Sequence, residues 1–250
     1  MPLFKMKTVW DYCTYNKPFF LLVLLLFCVL CYFSDTELKD LIMIFVSLVV
    51  DVIITGYGMT IARDRMNNGV RLPKILIKDV FVLGIKSTIV SYLYLGIQGF
   101  ILYCISSPFD FPNFELEDML LEWPQTAHSL FSHNPVHTLI FIAVSAVLFY
   151  ITIFFIEISL ARLADTGSLL SAFNLRDIKK NIDTIGWRHY AKEYTLMILA
   201  IVIFLSFSHI EIPNIFLNYI WNVLLYLLAF VTQFLGIGKI YSEIKEKESV

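Results

Sequence analysis

Six stretches of this chain are each apolar and long enough to cross a bilayer, and this removes most other architectures at once. A span takes about 20 mainly apolar residues, and the runs lie at about 18–33, 41–62, 80–105, 138–163, 190–207 and 215–236. In a chain of 250 residues, 58% hydrophobic and 16% charged, with a mean hydropathy of +0.73, they leave no room for a separate soluble domain. Backbone polar groups in lipid must be satisfied within the segment, as helices do. The expected fold is therefore all-α, a polytopic membrane helix bundle forming a single integral membrane domain over residues 1–250.

The net charge of -2 hides a strong segregation. All but two of the 19 Lys and Arg fall in the amino-terminal segment, in the turns after the second and fourth spans, or in the tail. The exceptions are Lys39 and the intramembrane Lys86, while Asp35, Glu37, Asp40, Asp110, Glu115, Glu117, Asp118, Glu122 and Glu211 make the other side acidic. The positive-inside rule then places both termini and the basic turns in the cytoplasm of a multi-pass protein of the cell (plasma) membrane. The first run has the basic lead and short apolar core of a signal peptide, but CYFSD follows it instead of a small-residue cleavage site, so a retained span is expected. Cys28 and Cys31 have CxxC spacing inside that apolar run, where small buried hydrophobes are the simpler reading.

Ionisable residues within spans are costly and so informative. Ser47, Asp51, Thr55, Met59 and Arg63 recur every four residues along the second span, and Asp51 falls about 15 Å from its basic end. Lys86 lies in the third span and Glu157 in the fourth. The expectation is a buried Asp51, Lys86, Glu157 cluster joining three helices, serving either as an ion or proton path or as a structural charge network. Asn218, Asn222, Tyr226 and Gln233 add a hydrogen-bonding stripe on the sixth span.

The basic turns repeat a pattern. After the second span come Ala62-Arg63, a turn at Asn68-Gly69, Pro73 as a helix start, an amphipathic helix at about 73–83, and Gly84 opening the next span. After the fourth come Ala161-Arg162, Gly167, a second amphipathic helix at about 174–185, and Gly186. In this second helix Leu175, Ile178, Ile182 and Ile185 form an apolar face, with Asn174 as cap. The expectation is a parallel internal repeat with two interfacial helices lying in the cytoplasmic headgroup layer. The acidic side carries a 115–123 helix candidate and His128, His133 and His137, whose spacing is spoiled by a helix start at Asn134-Pro135, so no metal site is expected. The tail from Ile240 reads as a solvated end.

The order Gly56-Tyr57, Arg63, Gly69, Leu72-Pro73 and Gly84, followed by Arg162 in ARLADTGSLLSAFNLRDI, resembles an uncharacterised prokaryotic membrane family, domain of unknown function 4013. More faintly, the architecture is similar to membrane domains accompanying some glycerophosphodiester phosphodiesterases. The resemblance implies a bundle in which these residues are structural hallmarks, and it brings no catalytic residue and no cofactor.

No P-loop, HExxH or nucleophile elbow is present, and the expectation is a protein that is not an enzyme. A membrane-organising, assembly or regulatory role fits two surface helices on one leaflet. Its partners would be the lipid bilayer, and anionic lipid headgroups or a cytoplasmic protein at the basic turns, with a homo-oligomer also open and nucleic acid excluded. The alternative is a small-solute or proton-coupled transporter or channel using Asp51, Lys86 and Glu157.

Overall fold

The computed structural model describes residues 6–34, 41–106, 135–210 and 212–248. Among them are nine α-helices and no strand. These are α1 (Met6–Thr14), α2 (Lys17–Ser34), α3 (Leu41–Met66), α4 (Ile77–Ser106), α5 (Pro135–Thr166), α6 (Leu169–Phe173), α7 (Leu175–Ile185), α8 (Trp187–Phe207) and α9 (Ile215–Glu248). Five helices are long and apolar enough to cross a membrane, and six if the α1–α2 pair, bent by 98°, counts as one. The chain is a multi-pass helical membrane protein. The 115–123 helix candidate, His128, His133 and the connection at 35–40 lie outside the described residues.

The chain forms two compact units. The first, residues 1–90 and 157–250, is built around α9, which α3 and α8 flank most closely and α1, α2 and α7 join. Its core includes Met59, Ile61, Leu163, Tyr190, Tyr194, Met197, Leu227 and Val231, all essentially without solvent exposure. The second unit, residues 91–156, exposes large apolar side chains such as Phe100, Tyr103, Leu139 and Phe149, a surface suited to hydrocarbon.

Two glycines set the spacing of α3 and α4. A Cβ on Gly56 would stand 1.9 Å from the Val80 carbonyl oxygen, and one on Gly84 would stand 1.9 Å from that of Val52. The backbones touch, which only small residues allow. On neighbouring faces of the same region, Gly58 is roofed by the Phe234 ring of α9 and Gly238 of α9 lies against the Ala62 carbonyl.

Three expectations are corrected. No separate helix exists at 73–83: residues 72–76 have no regular structure, and α4 starts at Ile77 and passes through Gly84 unbroken. The reason is local, since Leu72 is buried and the Pro73 carbonyl accepts a hydrogen bond from the Tyr57 hydroxyl at 3.2 Å, pinning the segment before a helix can start. The parallel repeat therefore holds for the turns and fails for the helices. The second amphipathic helix does exist as α7, within one residue of its expected limits, but of its expected apolar face Ile178, Ile182 and Ile185 are buried inside the protein, against α8 and α9, and Leu175 is exposed. The tail is not a solvated end either. The helix α9 continues to Glu248, with Ile240, Tyr241 and Ile244 buried, and this extension supplies part of the floor on which α7 rests.

Gly186, between α7 and α8, adopts φ 95° and ψ 125°, a region essentially restricted to glycine, with no atom crowding the place of a Cβ. Gly186→Ala should therefore cost about 1–3 kcal/mol through backbone strain alone. The check is a fall in unfolding temperature of purified protein, with no change in the fold of the bundle by circular dichroism.

Candidate functional site at the basic end

Three of the charged residues singled out from the sequence, Arg63, Lys86 and Arg162, converge on one end of the first unit, where α3 and α5 terminate. Helix carboxyl ends leave carbonyls without intrahelical partners, and these attract cations. The α3 end is closed by its own turn: Asn68 takes the left-handed conformation at φ 61°, the Gly69 amide donates to the Asp64 carbonyl at 2.9 Å, and the Arg65 guanidinium donates to the Gly69 carbonyl at 3.1 Å. A side chain at position 69 would overlap the Asp64 carboxylate, which accepts the Tyr12 hydroxyl at 2.8 Å. Burial, and then the adjoining Asp64 charge, hold the Tyr12 phenol far above its ordinary pKa, so it remains a donor.

The α5 end is closed by residues from the other half of the chain. Arg63 Nε donates to the Ala164 carbonyl at 2.6 Å, and Lys86 Nζ donates to the Gly167 carbonyl at 2.6 Å. Gly167 is itself left-handed, at φ 67°, and its amide donates to the Leu163 carbonyl. Arg162 does not mirror Arg63. Its Nε donates to the Ser171 carbonyl at 3.0 Å and a terminal nitrogen meets Asp177 at 2.8 Å, with 12% of its side chain exposed. With the Asn181 amide turned to satisfy both its atoms, Arg162 also donates to Asn181 at 3.2 Å. One guanidinium thus ties α5 to the loop and to α7. Lys245 of α9 meets Asp165 at 2.6 Å, and Lys247 donates to the Ile185 carbonyl at 3.2 Å.

The three-residue intramembrane cluster is not assembled. Lys86 is on Gly167, and Glu157 accepts from Gln233 Nε2 of α9 at 2.8 Å, being only 3% exposed. Asp51 is exposed on the outer face of α3, where only its backbone carbonyl takes a described hydrogen bond, from Thr55. No ion pair among the described residues joins any two of the three. The cause is helix geometry: a residue advances about 100° around the axis, so a four-residue stripe drifts about 40° per step. Between Asp51 and Arg63 that is about 120°, enough to turn Arg63 towards α5 while Asp51 faces away. The sixth-span stripe is likewise divided: Gln233 reaches Glu157, Asn218 accepts from the Ile212 amide at 2.9 Å, and Tyr226 is exposed.

One oxygen of Glu157 has no hydrogen-bond partner among the described residues. Glu157→Gln keeps an acceptor for Gln233 and removes an ionisable group from the interior. It should leave the unfolding temperature within about 3 °C of the original, which corresponds to about 1 kcal/mol for a chain of this size; differential scanning fluorimetry in detergent measures it.

The sequence stripe names Gln233 as an interhelical hydrogen-bonding residue, whereas sequence reasoning passed over the Tyr12–Asp64 contact, Asp165 and the α9 extension. Only the last carried a readable signal, in the apolar spacing of Ile237, Tyr241 and Ile244. Among the described residues no group of three or more His, Cys, Asp and Glu could hold a metal ion.

A family model described as a protein of unknown function, DUF4013, matches residues 41–238. No curated protein and no solved structure matches the chain, so the fainter likeness to glycerophosphodiester phosphodiesterase membrane domains gains no relative.

Proposed function

The chain belongs to the DUF4013 family, described as a protein of unknown function, and we propose that it is a membrane-embedded assembly or regulatory protein that performs no chemistry of its own. It offers a rigid charged face at its basic end, oriented to the cytoplasm of the cell membrane by the positive-inside rule, to a partner protein or to anionic headgroups. The observation that carries this reading is the division of labour in α7. Its apolar face is locked into the protein and Arg162 holds its first turn, while Leu175, Arg176, Lys179, Lys180 and Asp183 remain exposed beside Arg188 and Lys192 of α8. Leu170, 81% exposed on α6, and Trp187 add apolar points at the margins of that face. A fixed, mixed-charge face with a few apolar anchors is what recognition of a partner uses. Burial of the apolar side of α7 also argues against the leaflet-wedging variant of this reading.

A photo-crosslinking residue at position 179, in membranes from cells making the full chain, tests it. The expected result is a discrete adduct that disappears when Arg176 and Lys180 are both replaced by Glu. No adduct, together with saturable solute or proton flux in proteoliposomes, would overturn it. The conducting alternative retains one specific support, the buried Glu157 with an unpartnered oxygen, and is weakened by the dispersal of Asp51, Lys86 and Glu157.

A further inference from the structure

A cavity of about 290 Å³ lies between α1, α8 and α9, lined by Lys7, Trp10, Phe204 and Leu228. Its walls are held in place by contacts that do not involve it. The chain bends by 98° between α1 and α2, so α1 runs across the direction of α2, its inner face fixed by buried Val9, Tyr12 and Cys13 and by the Tyr12–Asp64 hydrogen bond. Lys7 and Trp10, three residues apart and so on one side of the helix, are exposed. The Trp10 ring meets Phe20 of α2 edge-on at 6.2 Å. The antiparallel pair α8 and α9 is registered by His189 and Glu243 at 3.0 Å. Phe204 and Leu228 each stand fifteen residues, about 22 Å, from that register point, towards the opposite end of the spans.

The cavity therefore has a cation and an indole on the crossing helix and purely apolar walls on the spans. We propose that it binds an anionic phospholipid, one acyl chain lying against Trp10, Phe204 and Leu228 and the headgroup phosphate meeting Lys7. The volume, at the low end for a ligand site, suits a single chain and not a whole two-chain lipid. The bilayer supplies the hydrocarbon on any reading, and Lys7 is what selects an anionic headgroup over a zwitterionic one. The site is separate from the face presented by α7 and does not depend on the function proposed above.

The test uses the full chain with Trp123, Trp187 and Trp221 replaced by Phe, leaving Trp10 as the sole tryptophan, in phosphatidylcholine nanodiscs. Trp10 fluorescence is quenched with increasing mole fractions of brominated phosphatidylglycerol or brominated phosphatidylcholine. Half-maximal quenching is expected at an about fivefold lower fraction of the anionic lipid, the preference expected from one lysine. Lys7→Gln should erase the difference and Lys7→Arg should keep it. Because Lys7 is exposed, its replacement should leave the unfolding temperature unchanged, which separates loss of binding from loss of fold. Equal quenching by both lipids, or an anionic preference that survives Lys7→Gln, would overturn the proposal.

Discussion

Gly56→Leu is expected to lower the unfolding temperature of the detergent-purified protein by roughly 6–12 °C, and Gly84→Leu to do the same. At each position the nearest obstacle is a backbone carbonyl of the facing helix, 1.9 Å from the place of the first side-chain atom. No rotamer can relieve a clash of that kind, so α3 and α4 must move apart. Overpacking of a close helix contact costs about 3 kcal/mol, and each kcal/mol is worth about 2–4 °C in a chain of this length. Gly96→Ala and Gly99→Ala are the controls. Nothing lies within 4 Å of a Cβ at either position, and both stand within α4, so they should be neutral or slightly stabilising. Thermal unfolding followed by circular dichroism measures all four. If Gly56→Leu and Gly99→Ala behaved alike, the close α3–α4 crossing would be wrong.

Arg162→Ala is expected to release α7. The guanidinium serves the Ser171 carbonyl, the Asp177 carboxylate and Asn181 at once, and its removal strands the buried Asn181 together with an acid that has lost its cation. The Asp177 carboxylate is half-exposed, so the loss is that of hydrogen bonds to a charged group, about 2 kcal/mol, which corresponds to about a thirtyfold rise in amide exchange for an element that opens locally. Hydrogen exchange read by mass spectrometry should show that rise over residues 175–185, with α9 below residue 236 unchanged. Arg162→Lys should recover little, because an ammonium cannot present donors in the guanidinium's planar fork. Uniform exchange across all helices after Arg162→Ala would mean that α7 is not a separately tethered element.

Much of the bundle is legible in the sequence, and the failures have a common origin. Hydrophobic length and charge segregation register as sums over many residues, so the spans emerge clearly. What a pattern does not encode is the identity of the opposing surface. The Leu175, Ile178, Ile182, Ile185 spacing announces an apolar face but is the same whether that face meets lipid or protein. The deciding surface lies more than fifty residues away, in Ile240 and Ile244 on the extension of α9. The Asp51, Lys86, Glu157 cluster failed for the rotational reason: helix rise gives depth along the axis, whereas pairing needs the angle around it. Lys86 adds the reach of a long side chain, which lets its charge leave the span and cap Gly167. Gly56, Tyr57, Arg63, Gly69, Leu72, Pro73, Gly84 and Arg162 resemble structural hallmarks in the sequence, and each has a structural contact: helix crossings at Gly56 and Gly84, a pinned turn from Gly69 to Pro73, and helix-end caps at Arg63 and Arg162. The two turns share a left-handed residue, Asn68 and Gly167, and differ in their arginines, since Arg63 reaches across to α5 whereas Arg162 turns back on its own connection.

The central claim is that Arg63, Lys86, Glu157 and Arg162 hold helices together and that Asp51, on an exposed face of α3, lines no aqueous route. Solvent access at position 51 tests it most directly. The four native cysteines are replaced, Asp51→Cys is introduced, and labelling by a membrane-impermeant thiol reagent is followed from each side of reconstituted vesicles. Phe45→Cys in the same span and Lys179→Cys on the exposed face of α7 are the references. A dry, structural bundle predicts that position 51 resists the reagent from both sides as Phe45→Cys does, while position 179 labels promptly from one side. Prompt labelling at position 51 would place water at mid-span, contradict the structural reading and restore Asp51 as part of a conducting path.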